Sequence, residues 1–143
     1  MKTVVYKSLS KKDTKKIALE LSKTAVKGSV YALIGDLGCG KTLFSKAFAK
    51  GIGITETVVS PTFTLLEIYK TDNIELCHFD LYRINNVNEF DNLFFEDYWE
   101  SDAVCLIEWA DKALHLLPGN TMKIMFDYIS ENERRITVEY PDN

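Results

Sequence analysis

Val30-Tyr31-Ala32-Leu33-Ile34-Gly35-Asp36-Leu37-Gly38-Cys39-Gly40-Lys41-Thr42 is the stretch on which the fold turns. Its first five residues are apolar without interruption, the pattern of a strand buried on both faces of a sheet. Gly35 to Thr42 then matches G-x-x-x-x-G-K-[ST] in full. Lys41 to Lys50 carries Leu43, Ala47 and Phe48 at helical packing spacing, and Gly51 closes the run. Strand, glycine-rich loop and helix in that order make a P-loop. Its glycines let the backbone of Asp36, Leu37, Gly38, Cys39 and Gly40 wrap closely round a phosphate, with N–H groups turned inward at the positive end of a helix dipole. Lys41 is placed to reach the β- and γ-phosphates, and the Thr42 hydroxyl to ligate magnesium. At average residue frequencies such a match arises by chance on the order of once in 200 chains of this length. The stretch therefore predicts a site for a nucleoside triphosphate with Mg2+.

Upstream, Val4 to Tyr6 reads as a short strand, and Ser10 as the N-cap of a helix running to about Val26, with Ile17, Leu21 and Ala25 on one face and Gly28 ending it. Downstream, Thr64 to Tyr69, Glu75 to Asp80 and Val104 to Glu108 read as strands, and Val87 to Trp99 as a helix whose aromatic residues pack a core. After Pro118 and Gly119, Thr121 to Tyr128 and Arg135 to Tyr140 alternate apolar and polar residues around Ser130 to Glu133, the pattern of an antiparallel hairpin. No repeat, low-complexity tract or linker interrupts the chain. The expectation is one α/β P-loop NTPase domain over residues 1–143, a mixed sheet flanked by helices with a C-terminal antiparallel hairpin.

Composition excludes several alternatives. With 46% hydrophobic and 27% charged residues the chain resembles an ordinary folded protein. No apolar run reaches the ~18–20 residues of a membrane span, and Met1 to Lys7 lacks the features of a signal peptide, so a cytoplasmic protein with no membrane partner is expected. Cys39, Cys77 and Cys105 are far apart and show no CxxC or Cys/His pairing, which argues against a disulfide framework or a zinc site. The net charge of -4 hides an asymmetry: residues 1–50 hold eleven lysines against Asp13, Glu20 and Asp36, whereas Ile84 to Asp111 holds eight acids and no base. Lys11, Lys12, Lys15, Lys16, Lys23 and Lys27 gather around the first helix, either as a solvated face, with Lys16 and Glu20 at i,i+4 spacing, or as a docking face for RNA or an acidic protein. No aromatic residues interleave with them, which disfavours autonomous nucleic-acid binding.

A P-loop hydroxyl supplies one oxygen of an octahedral magnesium shell, so carboxylates must arrive from neighbouring strands. Asp80 and Glu108 each terminate a predicted strand, and ligands of open α/β sheets sit beyond the carboxyl ends of strands. Both qualify as metal ligand and as the group that positions an attacking water, and the pattern does not divide these roles. Thr62, in Ser60-Pro61-Thr62, lies either in a γ-phosphate sensor or in a plain turn. His78 reads as a packed strand residue rather than a catalytic one. Trp109 lies either over the nucleotide or in the core. Cys39, beside a helix N-terminus and Lys41, is either a reactive thiol or an inert core residue.

Together, G-D-L-G-C-G-K-T (35–42), S-P-T-F-T-L (60–65), H-F-D-L-Y-R (78–83) and L-I-E-W (106–109) closely resemble the TsaE family, also called YjeE, over about Ser10 to Tyr140. Its members are bacterial ATPases that assist the N6-threonylcarbamoyl modification of adenosine 37 in tRNAs reading codons that begin with A. The resemblance implies that Lys41 binds phosphate, that Thr42 and Glu108 hold magnesium, and that Asp80 is the other essential acid, beside the γ-phosphate. It implies further that Trp109 lies near the nucleotide and that ATP or ADP is held at its adenine between Ser10 and the turn at Ser130 to Arg134, with Asn132 the expected contact. The implied partners are the kinase-fold transferase TsaD and its companion TsaB, with tRNA met only through their complex. Cys39 departs from the small unreactive residue more usual at its position.

Two other functions fit a P-loop of this size. A small-molecule kinase needs an arginine-bearing lid, for which Arg83, Arg134 and Arg135 are poorly spaced. A non-hydrolysing nucleotide-dependent binding module has no use for two acids. A GTPase is disfavoured by the lack of an N-K-x-D signature.

Overall fold

The computed structural model describes residues 2–36, 38–85 and 95–141. Its strands are β1 Lys2–Ser8, β2 Val30–Ile34, β3 Leu66–Lys70, β4 Glu75–Asp80, β5 Val104–Glu108, β6 Met122–Tyr128 and β7 Arg134–Tyr140; its helices are α1 Lys11–Ser22, α2 Lys41–Gly51 and the single turn α3 Glu96–Trp99. The strands form a seven-stranded sheet in the order β1-β7-β6-β2-β5-β4-β3. Central β2 pairs in parallel with β5 on one side and β6 on the other, and β4 extends the parallel part beyond β5. Antiparallel β3, β7 and β1 complete the two sides. The mixed α/β sheet and the C-terminal hairpin thus follow the sequence expectation.

Alternation along the strands builds two cores. Tyr31 and Leu33 of β2, Leu76 of β4, Val104 and Leu106 of β5, and Ile124 and Phe126 of β6 meet α1 and α2 on one face. Val30, Ala32, Cys77, Phe79, Cys105 and Ile107 point to the other face, where Phe95 and Trp99 cover them. Because β2 is buried on both sides, its sequence is continuously apolar.

The Ser10 hydroxyl accepts from the Asp13 N–H at 3.1 Å, while the Asp13 carboxylate accepts from the Leu9 N–H at 2.9 Å, so α1 starts where its cap predicts. It stops at Ser22, four residues before the expected end. The Ser22 hydroxyl donates to the Leu19 carbonyl and the Thr24 hydroxyl to the Leu21 carbonyl, both at 2.6 Å, which takes up acceptors of the last turn. Thr24 is also bonded to the Tyr31 hydroxyl at 2.8 Å, tying the exit of α1 to β2.

The third strand begins at Leu66, two residues later than expected. Leu65 adopts φ 69 and donates its N–H to the Pro61 carbonyl at 2.7 Å, closing residues 61–65 into a turn. Left-handed backbone costs a leucine on the order of 1–2 kcal/mol, and its side chain gives no sign of it. Of the predicted helix Val87 to Trp99, Glu96–Trp99 forms as α3 and residues 87–94 lie outside the described residues.

Lys12, Lys15, Lys16, Lys46 and Lys50 are exposed on α1 and α2. Among the described residues, Lys16 and Glu20 form no ion pair. The two helices cross closely at Gly51, where an added Cβ would fall on the Ser22 hydroxyl and 2.8 Å from the Ser22 Cβ. Gly51→Ala is therefore expected to destabilise the protein by about 1–3 kcal/mol, the range for overpacking. Urea unfolding measures this, and a change below ~0.5 kcal/mol, the size of an ordinary surface substitution, would show that the crossing tolerates a methyl group.

Candidate nucleotide-binding site

The parallel strands β2, β4 and β5 all deliver their carboxyl ends to one edge of the sheet. Asp80 and Glu108 are register partners across β4 and β5, and Leu33 lies opposite Glu108 on the other side. Two-residue alternation places His78, Asp80 and Glu108 on the face that also carries Leu76, Val104 and Leu106, beneath α2.

Glu108 is 1% exposed. Its Oε1 accepts from the Thr42 hydroxyl at 3.0 Å, and its Oε2 lies 2.6 Å from His78 Nε2. Asp80 accepts the Thr62 hydroxyl on Oδ2 and the Tyr82 N–H on Oδ1, each at 2.9 Å. Thr62 is in turn 2.8 Å from the Ser60 hydroxyl. The two acids, the P-loop threonine and the Ser60 to Thr62 turn thus converge on one edge.

Gly38 and Gly40 take φ of 79 and 95, the left-handed conformations that the loop needs, and Gly40 leads into α2 without a side-chain cap. A Cβ at Gly35 would stand 2.8 Å from the Phe126 carbonyl oxygen, so only glycine lets the loop leave β2 beside β6. Lys41 turns back onto the loop, donating to the Gly35 carbonyl and to the Asp36 carbonyl at 3.0 Å. Its Nζ lies 3.8 Å from the centroid of the Trp109 ring. Burial pushes the Lys41 ammonium below the ordinary lysine range, and the neighbouring Glu108, Asp111 and Asp36 charges pull the other way. Trp109 sits at φ 58 and packs on Tyr82 with ring centroids 4.9 Å apart, and its ring faces the Lys41 ammonium.

These groups line a cleft of about 490 Å³ that runs from Asp80 and Thr62 past the P-loop to Ser10 and Asn132. Of the residues expected to hold nucleotide or metal, Ser10, Asp36, Gly38, Cys39, Gly40, Lys41, Thr42, Thr62, Asp80, Glu108, Trp109 and Asn132 border this cleft, and Leu37 lies outside the described residues. Cys39 is 3% exposed and packs within the helix-side core, in keeping with the inert alternative.

Three groups of the site escaped the sequence reading. Arg134, distant in sequence, reaches the loop because the turn between β6 and β7 comes back over it: Nη2 donates to the Gly38 carbonyl at 3.1 Å, and Nη1 donates to the Ser130 carbonyl at 2.5 Å. The guanidinium also lies 4.4 Å from the centroid of the Tyr128 ring. Tyr82 forms part of the wall, and His78 holds Glu108 instead of merely packing. Period-two spacing from Asp80 was the available signal for His78; Arg134 was marked only as the end of the turn that the resemblance brings to the adenine, and nothing marked its contact with the loop. Arg83 and Arg135 are engaged elsewhere, on the Phe63 carbonyl and on Asp127.

The donor set fits magnesium. Among the described residues no three His, Cys, Asp or Glu side chains gather into a metal cage. Mg2+ instead takes one or two protein oxygens and completes its shell with phosphate oxygens and water. A threonine hydroxyl and a buried carboxylate 3.0 Å apart, at the mouth of a phosphate loop, supply such a half-shell.

The family model for the threonylcarbamoyl adenosine biosynthesis protein TsaE matches residues 8–136. The tRNA threonylcarbamoyladenosine biosynthesis protein TsaE of Bacillus subtilis is 39% identical over 137 residues, covering 96% of this chain and 85% of that protein. The Treponema pallidum protein of the same name is 36% identical over 131 residues, covering 92% and 96%. The crystal structure of Bacillus subtilis YdiB superposes with a TM-score of 0.85 at 34% identity, covering 99% of this chain and 88% of YdiB. A match that takes in the P-loop, both strand-end acids and the start of β7, with relatives this similar over nearly the whole length, means that the chain belongs to the TsaE family.

Proposed function

We propose that the protein binds ATP with Mg2+ in this cleft, hydrolyses it to ADP and phosphate, and thereby serves the N6-threonylcarbamoyl modification of adenosine 37 in tRNAs reading codons that begin with A. In this reading it works in the cytoplasm on the complex of TsaD and TsaB and meets tRNA only through them. The observation that carries the reading is the bond from Thr42 to Glu108, which joins the P-loop helix to the end of β5 beside a second acid, Asp80. A module that only bound nucleotide would need the loop and not the two acids. A kinase lid finds no support either, since Arg83 is engaged on the Phe63 carbonyl, Arg135 on Asp127, and Arg134 on carbonyls of the hairpin turn.

Each side chain then has a task. Lys41 exchanges the Gly35 and Asp36 carbonyls for oxygens of the β- and γ-phosphates, and the loop N–H groups hold the remaining charge. Thr42 and Glu108 hold the metal, which when bound neutralises charge on the transferring phosphoryl group. Asp80, with Thr62 beside it, orients the attacking water. Ser10 and Asn132 flank the base, and Trp109 covers the phosphate end.

Lys41→Ala is expected to weaken ATP binding by roughly 2–5 kcal/mol, the scale of a charge-assisted contact and its geometry. Calorimetry on the folded variant measures this, and unchanged affinity would place the phosphates elsewhere. Asp80→Ala and Glu108→Ala should each slow hydrolysis by at least ~10-fold, and Glu108→Ala should also blunt the magnesium dependence of binding. Normal hydrolysis by both variants would remove them from the reaction.

The arginines also bear on rate. A supplied arginine is worth roughly 10³–10⁵ where phosphoryl transfer depends on it. Among the described residues no arginine donates to Asp80 or Thr62 themselves, and Arg83, the nearest in sequence, is engaged on the Phe63 carbonyl. The isolated protein is therefore expected to turn over well below ~1 s⁻¹, under the common enzyme range, and to accelerate at least ~10-fold with the TsaD and TsaB complex. Hydrolysis at saturating ATP with and without that complex decides the matter, and a fast free enzyme indifferent to it would defeat the expectation.

A further inference from the structure

His78 is fully buried in β4, two residues before Asp80, and its Nε2 meets Glu108 Oε2 at 2.6 Å with both side chains almost wholly out of water. Its other ring nitrogen, Nδ1, is buried and has no hydrogen-bond partner among the described residues. A histidine kept only to fill space would be replaceable by leucine or methionine without orphaning a polar atom. This one leaves Nδ1 unpaired and directs its bonding capacity at one carboxylate oxygen. The tautomer that fits carries its proton on Nε2, which donates to Glu108 and leaves on Nδ1 a bare lone pair, so that no N–H is buried unpaired.

The geometry of Glu108 shows what that bond does. The carboxylate has two oxygens and two partners: Oε2 faces His78, and Oε1 faces the Thr42 hydroxyl at the P-loop. A hydrogen bond at Oε2 fixes the rotation of the carboxylate, so that Oε1 is presented to the mouth of the phosphate loop. It also satisfies the buried carboxylate on its Oε2 side. Carboxylates that hold metals are commonly oriented by such outer partners, whose loss typically costs 10–100-fold in metal affinity.

We propose that His78 is a positioning residue for magnesium: acting through Glu108, it aims the oxygen that completes the metal site with Thr42, and it makes no contact with nucleotide itself. The proposal rests on the reading of Glu108 as a magnesium ligand. It predicts a selective defect, in which coupling between metal and nucleotide is lost while the phosphate loop still works.

The test is calorimetric titration of ADP at graded free Mg2+ and in EDTA, with thermal unfolding as the measure of folding. His78→Met, apolar and of similar reach, should raise the half-saturating Mg2+ concentration at least ~10-fold and leave ADP affinity in EDTA within about threefold. His78→Gln, which keeps an N–H at comparable reach, should return the Mg2+ requirement to within about threefold of the native value. Should the methionine variant not fold, His78→Asn, polar but too short to reach Glu108, takes its place. In a Glu108→Gln background, His78→Met should add no further shift, because both act on one interaction. Equal loss of ADP affinity with and without Mg2+, or failure of His78→Gln to rescue, would overturn the proposal in favour of a structural role. A Glu108→Gln variant with native Mg2+ dependence would instead overturn the underlying assignment of Glu108. A shift with Glu108→Gln but none with His78→Met would overturn the His78 proposal alone.

Discussion

Glu108 is a carboxylate held almost entirely out of water, and the arrangement of the site depends on how that charge is satisfied. A buried ion without partners is too costly to keep. Its two partners come from different layers, Thr42 from the first turn of α2 and His78 from β4. Meeting both at once fixes the height of α2 over the sheet and the register of β4 against β5. The same register brings Asp80 opposite Glu108, and the backbone continues the link: the Leu81 N–H donates to the Glu108 carbonyl at 3.1 Å. Once the buried carboxylate is accommodated, the second acid has little freedom in where it stands.

Around this rigid centre the backbone is strained in two places. Leu65 and Trp109 are the non-glycine residues with positive φ among those described, and each lies next to one of the acids, Leu65 beside Asp80 across β3 and β4, Trp109 directly after Glu108. Each is held by surrounding contacts. The Asp80 N–H donates to the Leu65 carbonyl at 3.0 Å, and Trp109 is clamped between Tyr82 and the Lys41 ammonium. The turn before Leu65 also exposes Phe63 at 82%, with Arg83 over its ring. Strain concentrated where the phosphates are proposed to sit, in a structure otherwise regular, is the pattern of sites whose geometry is set by chemistry rather than by packing.

How much of this was legible in the sequence depended on the range of the interaction. Strand β2, the loop and α2 could be read because one contiguous stretch combines an apolar run, placed glycines and a helical spacing, each a local signal. Asp80 and Glu108 were legible because both terminate apolar strands, and a parallel sheet must bring such ends together. The end of α1 was missed because two hydroxyls compete for its last carbonyls, a preference that depends on tertiary anchoring through Tyr31. Leu65 was missed because left-handed leucine has no signature. The resemblance brought the turn ending at Arg134 to the nucleotide, but the contact of Arg134 with Gly38 had no local signal, since it spans most of the chain and follows from the strand order, with β6 inserted beside β2 in parallel and the turn to β7 returning over the loop. His78 was legible in part: its spacing from Asp80 puts both on one face, but only the pairing of β4 with β5 shows that Glu108 is within reach.

The resting position of Lys41 adds a last constraint. Its ammonium is desolvated, bonded to carbonyls of its own loop and set against an aromatic face, so the cradle is filled by the residue that would bind phosphate. Burial already disfavours that charge, and phosphate oxygens are stronger partners than backbone carbonyls for a desolvated ammonium. A polyphosphate therefore gains in replacing them, whereas a ligand without comparable charge would have to displace satisfied hydrogen bonds for little return. The Arg134 bond to Gly38 acts in the same sense at the other end of the loop, holding a carbonyl that a mobile loop would turn toward the cleft. On the proposed reading, selection for phosphate would thus begin before any contact with a base: the loop's own cation is tucked onto the Gly35 and Asp36 carbonyls and the Gly38 carbonyl is held by Arg134, so these acceptors of the loop are engaged.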